Sequence, residues 1–201
     1  MARDSAAIRE QKRERLTGLL GNRPIVLVGM MGAGKTTVGR RLAQRLHRHF
    51  VDSDEEIEKA AGMPVEDIFT IRGEEDFRAG EVKVINRLLR DDGLVLGTGG
   101  GAFINAETRA LVKQQSLSVW LKADFELLFA RVSRRSNRPL LKTADPRATL
   151  RELMQRRYPI YGEADITVVT RDVPHEQVTT DVVDAILSYL DGAAARGGND
   201  S

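Results

Sequence analysis

The chain of 201 residues contains no cysteine. That excludes disulfides, thiolate metal sites and cysteine nucleophiles, and it fits a reducing compartment. No apolar run approaches the ~20 residues that a membrane helix needs. The N-terminal segment MARDSAAIREQKRERL carries charges throughout and lacks the apolar stretch of a secretory signal. Charge of one sign is also lacking. The chain has 31 basic and 29 acidic residues, a net charge of +2, so it is no polycation and neither nucleic acid nor a membrane surface is expected as a partner. Internal repeats and a low-complexity core are absent. A soluble cytoplasmic protein is the expectation.

What is present is an alternation. Short β-rich runs, IVLVG (25–29), HFVDSD (49–54), LVLGTGG (94–100), LSVWLKA (117–123) and ITVVT (166–170), are separated by segments long enough for crossover helices. TTVGRRLAQRLH places Val38, Leu42 and Leu46 on one helical face, and EVKVINRLLR and DVVDAILSYL read the same way. Strand and helix in turn imply an α/β fold with a five-stranded parallel sheet and helices on both faces. The length suits one domain, expected over 21–190. Residues 1–20 form a charged extension, a helix or a partly disordered lead-in, and the small polar tail 191–201 is expected to be disordered. RVSRRSNRPLLKTADPR (131–147), rich in arginine, interrupts the pattern. It reads as a surface excursion, either a solvated loop or a basic lid over an anionic ligand.

The most specific stretch is GMMGAGKTT. Gly29, Gly34, Lys35 and Thr36 fit G-x-x-x-x-G-K-[ST], directly after a strand and at the start of a helix. Glycines let the backbone curl so that successive N–H groups point inward, and the helix that follows adds unpaired amides and its positive dipole end. Lys35 would reach the β- and γ-phosphates of a nucleoside triphosphate, Thr36 would put a hydroxyl on Mg²⁺, and Thr37 would support the first helical turn. An N-K-x-D base-reading motif and a D-x-x-G are both missing, which argues against a GTPase switch.

Four further features carry possible chemistry. In RHFVDSDEEIE a short strand ends at Asp52. Asp52 and Asp54, two apart on an extended segment, would point the same way at the carboxyl end of a strand, where ligands of open α/β sheets sit. One carboxylate could hold the magnesium shell and the other could accept a proton from an acceptor hydroxyl. The plainer alternative is an acidic helix start with Ser53 or Asp54 as N-cap. In RGEEDFRAGE, Arg78 lies four residues after Glu74 and three before Glu81, the spacing of helical ion pairs. GTGGG, Gly97 to Gly101, leaves a strand and offers close backbone approach. Arg157, two residues before Pro159, would sit at the end of a helix.

Together these motifs resemble the shikimate kinases. The resemblance runs from about Ile25 to Val169 and rests on GMMGAGKTT, VDSDEEIE, IFTIRGEEDFRAGE, GTGGG, NRPLL and RRYPIYGEAD, in that order. It implies the three-layer P-loop kinase fold with a small lid at about 131–147, and transfer of the ATP γ-phosphate to the 3-hydroxyl of shikimate. Mg²⁺ is the implied cofactor and a monomer the expected state. By resemblance, Gly32, Ala33, Gly34, Lys35, Thr36 and Thr37 bind the phosphates, with Thr36 and Asp52 on the metal side. Asp54 binds shikimate hydroxyls and is the proposed base. Arg78 and Arg157 hold the shikimate carboxylate, and Gly99, Gly100 and Gly101 supply backbone contacts to the substrate. Arg138 is the lid arginine that reaches the ATP phosphates, Arg131 packs on adenine, and Arg171 is the candidate for a nucleotide contact after the last strand. Two other readings compete: a gluconate kinase, which would share the P-loop and lid, and a nucleotide-binding regulator without transferase activity.

Overall fold

The computed structural model describes residues 2–134 and 143–197. In chain order these form α1 (Ala2–Leu20), β1 (Ile25–Val28), α2 (Lys35–Leu46), β2 (His49–Asp52), α3 (Ser53–Ala61), α4 (Val65–Leu88), β3 (Leu94–Gly97), a 3₁₀ turn (Ala102–Ile104), α5 (Ala106–Gln115), β4 (Leu117–Ala123), α6 (Phe125–Ser133), α7 (Pro146–Tyr161), β5 (Ile166–Thr170) and α8 (His175–Gly197). The five strands form one sheet in the order β2-β3-β1-β4-β5, and every pairing is parallel.

The strand sequences explain the layering. β1 and β3 are buried at every position, as strands covered on both faces must be. The edge strand β5 alternates buried and exposed residues instead. Val38, Leu42 and Leu46 of α2 are all buried in the core, as their spacing predicts.

Register decides where chemistry can occur. Asp52 pairs with Gly97, Gly97 with Leu27, and Leu27 with Val119. The end of β2, the glycine run after β3 and the P-loop after β1 therefore lie side by side at one carboxyl edge of the sheet. Thr98 fastens two of them, its N–H and its hydroxyl both donating to Leu27 O at 3.2 and 2.9 Å.

Four expectations need correction. First, Asp52 and Asp54 do not share an extended segment. Asp52 is the N-cap of α3 and its side chain accepts from the Asp54 N–H at 3.1 Å, because a carboxylate is the strongest acceptor at hand for an unpaired helical amide. Second, α8 continues through Asp191 to Gly197, where a disordered tail was expected. The Ala193–Ala195 run has high helix propensity, and Asp191 pairs with Arg15 at 2.8 Å. Third, Pro159 lies inside the last turn of α7, which runs on to Tyr161. Fourth, the excursion is narrower than 131–147, since Arg131–Ser133 complete α6 and Pro146–Arg147 open α7.

The N-terminal segment is a packed helix. Leu16 and Leu20 join the core, and Lys12 bonds Asp184 of α8 at 2.6 Å. The Arg48 guanidinium donates to Gly21 O and Arg23 O just beyond the helix end. Among the described residues, no helix is long and apolar enough to cross a membrane.

Candidate active site

The P-loop has the curl its glycines predict. Gly34 is the N-cap of α2, with φ 98°, a conformation that side chains rarely adopt. Lys35 is 9% exposed. Its ammonium lies inside the loop and donates to Gly29 O at 2.7 Å and Met30 O at 2.9 Å. One residue on, the Thr36 hydroxyl donates to Asp52 Oδ2 at 3.0 Å. A hydroxyl and a carboxylate are hard oxygen donors, the set Mg²⁺ prefers. Among the described residues, no group of three or more His, Cys, Asp or Glu could hold a metal ion.

The second glycine turn packs against this loop, and each of its glycines meets a different group. A Cβ on Gly99 would collide with the Asp54 carboxylate, and one on Gly101 would come within 2.5 Å of Arg78 Nη2. A Cβ on Gly100 would lie 3.4 Å from Met31 N and 3.7 Å from Arg157 Nη1. Asp54, Arg78 and Arg157, far apart in sequence, thus converge on one turn that touches the P-loop. Arg157 Nη1 donates to Gly100 O at 3.1 Å, and the Gly99 N–H donates to the buried Ser53 hydroxyl at 3.0 Å.

Arg78 is firmly held. Its guanidinium donates to Glu81 at 2.7 Å and to Glu74 at 3.4 Å, the pairs the helical spacing suggested. It also lies over the rings of Phe77 and Phe69, at 5.1 and 6.0 Å from their centroids. Glu81 is 1% exposed. Burial raises its pKa, the Arg78 guanidinium opposes that shift without cancelling it, and Asp54 and Glu74 push the same way as burial. A carboxyl whose pKa rises on folding contributes stability below its unfolded value and loses it as pH climbs through the folded value. Glu81→Gln should therefore gain melting temperature relative to the parent as pH is raised above the ordinary carboxyl value of about 4.5. A flat or falling difference in thermal melts would mean that pairing with Arg78 outweighs burial.

On the nucleotide side, Arg131 of α6 reaches Gly32 O at 3.4 Å and Arg171 O at 3.5 Å, linking the P-loop to the segment after β5. The Arg171 guanidinium donates to Asp181 of α8 at 2.9 Å. Arg138 lies outside the described residues. Sequence reasoning missed three neighbours. His175 has its ring about as close to Gly34 as Arg131 is, 3.8 to 3.9 Å from a Cβ placed there. Its pKa is lowered, first by burial and then by Arg131 and Arg41. Ser53 was read only as a possible N-cap, and Tyr161 only as part of a motif. Nothing in local spacing links either to the glycine turn.

The family model for shikimate kinase matches residues 31–187. The chain belongs to the shikimate kinase family. It is therefore a kinase of the P-loop fold. A shikimate kinase of Rhodopseudomonas palustris is 51% identical over 186 residues, covering 92% of either chain. One of Nitrobacter winogradskyi is 54% identical over 178 residues, which cover 89% of this chain and 81% of that one. Among solved structures, the shikimate kinase from Acinetobacter baumannii in complex with shikimate superposes with a TM-score of 0.81. It is 42% identical, and the match covers 86% of this chain and 97% of that one. Helix α1 precedes the stretch that the shikimate kinase model matches.

Proposed function

We propose that this kinase phosphorylates the 3-hydroxyl of shikimate with ATP, giving shikimate 3-phosphate and ADP. The observation that carries the reading is the convergence of one carboxylate and two guanidinium groups on a glycine turn packed against the P-loop. The acceptor must be anionic at one end and hydroxylated at the other. Arg78 and Arg157 can hold a carboxylate through parallel hydrogen bonds, and Asp54 can take a hydroxyl on the other side. Such a grip orients the acceptor toward the phosphate-binding loop.

Phosphoryl transfer asks little covalent chemistry of a protein; positioning and charge neutralisation supply most of the rate. Lys35 and the loop amides take the phosphates, with Arg138 assigned the same task by the family resemblance. Asp54 accepts the hydrogen bond, and finally the proton, of the attacking hydroxyl. Thr36 and Asp52 would hold Mg²⁺, which neutralises phosphate charge when bound. Arg131 is assigned to the adenine side, and Arg171 borders it through its carbonyl. The protein acts as a cytoplasmic monomer, with residues 21–190 as its catalytic domain.

The test is ADP release measured with ATP and Mg²⁺ beside shikimate, quinate, gluconate or no acceptor. Release that depends on shikimate is expected. Release with gluconate, or without acceptor, would overturn the assignment of Asp54, Arg78 and Arg157 while leaving the nucleotide site intact.

A further inference from the structure

Tyr161, the last residue of α7, has no assigned role, yet it is fully buried beneath the glycine turn. Its hydroxyl donates to Gly100 O and lies 3.9 Å from Met30 Sδ. Burial pushes its pKa up to about 12, so the hydroxyl keeps its proton and remains a donor across the working range. The same Gly100 carbonyl accepts from Arg157 Nη1 at 3.1 Å. One carbonyl thus has two donors, and one of them is a residue that must also grip the acceptor.

The double bonding has a consequence. If Arg157 turns its guanidinium toward a substrate carboxylate, a half-buried carbonyl bonded to it alone would lose its hydrogen bond. Tyr161 removes that conflict. The peptide unit is planar and trans, so anchoring the Gly100 carbonyl also fixes the Gly101 N–H on the opposite edge. A Cβ on Gly101 would meet Arg78, so the orientation of this peptide bears on both arginines. Through Met30, whose carbonyl accepts from Lys35, the hydroxyl also borders the phosphate side.

We propose that Tyr161 is a positioning residue of the acceptor site, holding the Gly100 carbonyl so that Arg157 can engage the acceptor carboxylate without leaving that carbonyl unpaired. The inference rests on the shikimate reading above. It concerns a hydroxyl that shares the Gly100 carbonyl with Arg157 and is itself not assigned to substrate contact.

The molecule contains its own control. Tyr158 lies one turn earlier on α7, is partly buried, and its hydroxyl donates to Ala123 O, away from the glycine turn. Both tyrosines pack on Trp120. Tyr161→Phe and Tyr158→Phe each remove one hydroxyl and little volume, and thermal melts of both separate any loss of stability from an effect on the site. Shikimate binding by calorimetry and initial rates with both substrates separate them. Tyr161→Phe should weaken shikimate binding and raise its KM about five- to tenfold, the scale of one buried hydrogen bond, with the KM for ATP nearly unchanged. Tyr158→Phe should shift neither.

Equal behaviour of the two variants, or a parallel rise in both KM values for Tyr161→Phe, would overturn the proposal. If Tyr161→Phe does not fold, the parent protein still decides. Its three tyrosines can be labelled as 3-fluorotyrosine, and shikimate should move the fluorine resonance of Tyr161 but not that of Tyr158. An unmoved Tyr161 resonance would overturn it. A parent enzyme with no shikimate-dependent ADP release would instead fail the function reading, so the two failures are distinguishable.

Discussion

Arg78→Ala is expected to raise the KM for shikimate about 30- to 1,000-fold while the KM for ATP changes only a few-fold. The range corresponds to ~2–4 kcal/mol, the usual cost of truncating one partner of a buried, hydrogen-bonded charge pair. Two losses combine in it. The acceptor carboxylate loses a guanidinium held against Phe77 and Phe69 and fixed by Glu81 at 2.7 Å. Glu81, almost fully buried, is then left without its strong partner. The second loss also lowers thermal stability, so the kinetic split between substrates is the informative reading. Arg78→Lys should recover little of the affinity, because an ammonium cannot reproduce two parallel hydrogen bonds to a carboxylate. An equal rise in both KM values would remove Arg78 from the acceptor site.

Asp54→Asn is expected to lower kcat about 100-fold or more, the scale of positioned acid–base catalysis, with ATP binding retained. The substitution preserves shape and leaves the α3 cap in place, since that cap uses the Asp54 N–H and the Asp52 side chain. What it removes is the negative charge beside Gly99 that would take the proton of the attacking hydroxyl. Single-turnover rates and nucleotide binding measured on one preparation separate the two effects. Near-normal turnover would show that Asp54 only orients the hydroxyl, an outcome the dissociative character of phosphoryl transfer makes chemically reasonable.

Much of the architecture was legible because its signals are local. A buried parallel strand is a continuous apolar run, and IVLV and LVLG are such runs. The P-loop was legible for the same reason, its glycines, lysine and threonine being neighbours in sequence that act as neighbours in space. The ion pairs of Arg78 followed from helical spacing alone. Where the reading failed, competition between local options was the cause. Asp52 could end a strand or cap a helix, and it does both. Pro159 could stop α7, but it falls in the last turn, where its effect on the remaining helix is small.

By itself, then, the sequence determined the alternation of strands and helices, a phosphate-binding loop at the end of β1 and, through resemblance, the family and the residues to watch. Tertiary structure decided what those residues touch. Only the register of β2, β3 and β1 brings Asp52, the glycine turn and the P-loop to one edge. Only the packing of α7 beneath that turn gives Gly100 O two donors, from Arg157 and Tyr161. The physical reason is range. Backbone preference and side-chain periodicity act over a few residues and leave a trace in the sequence, whereas a hydrogen bond between residues 61 positions apart exists only once the sheet has set the distance between them.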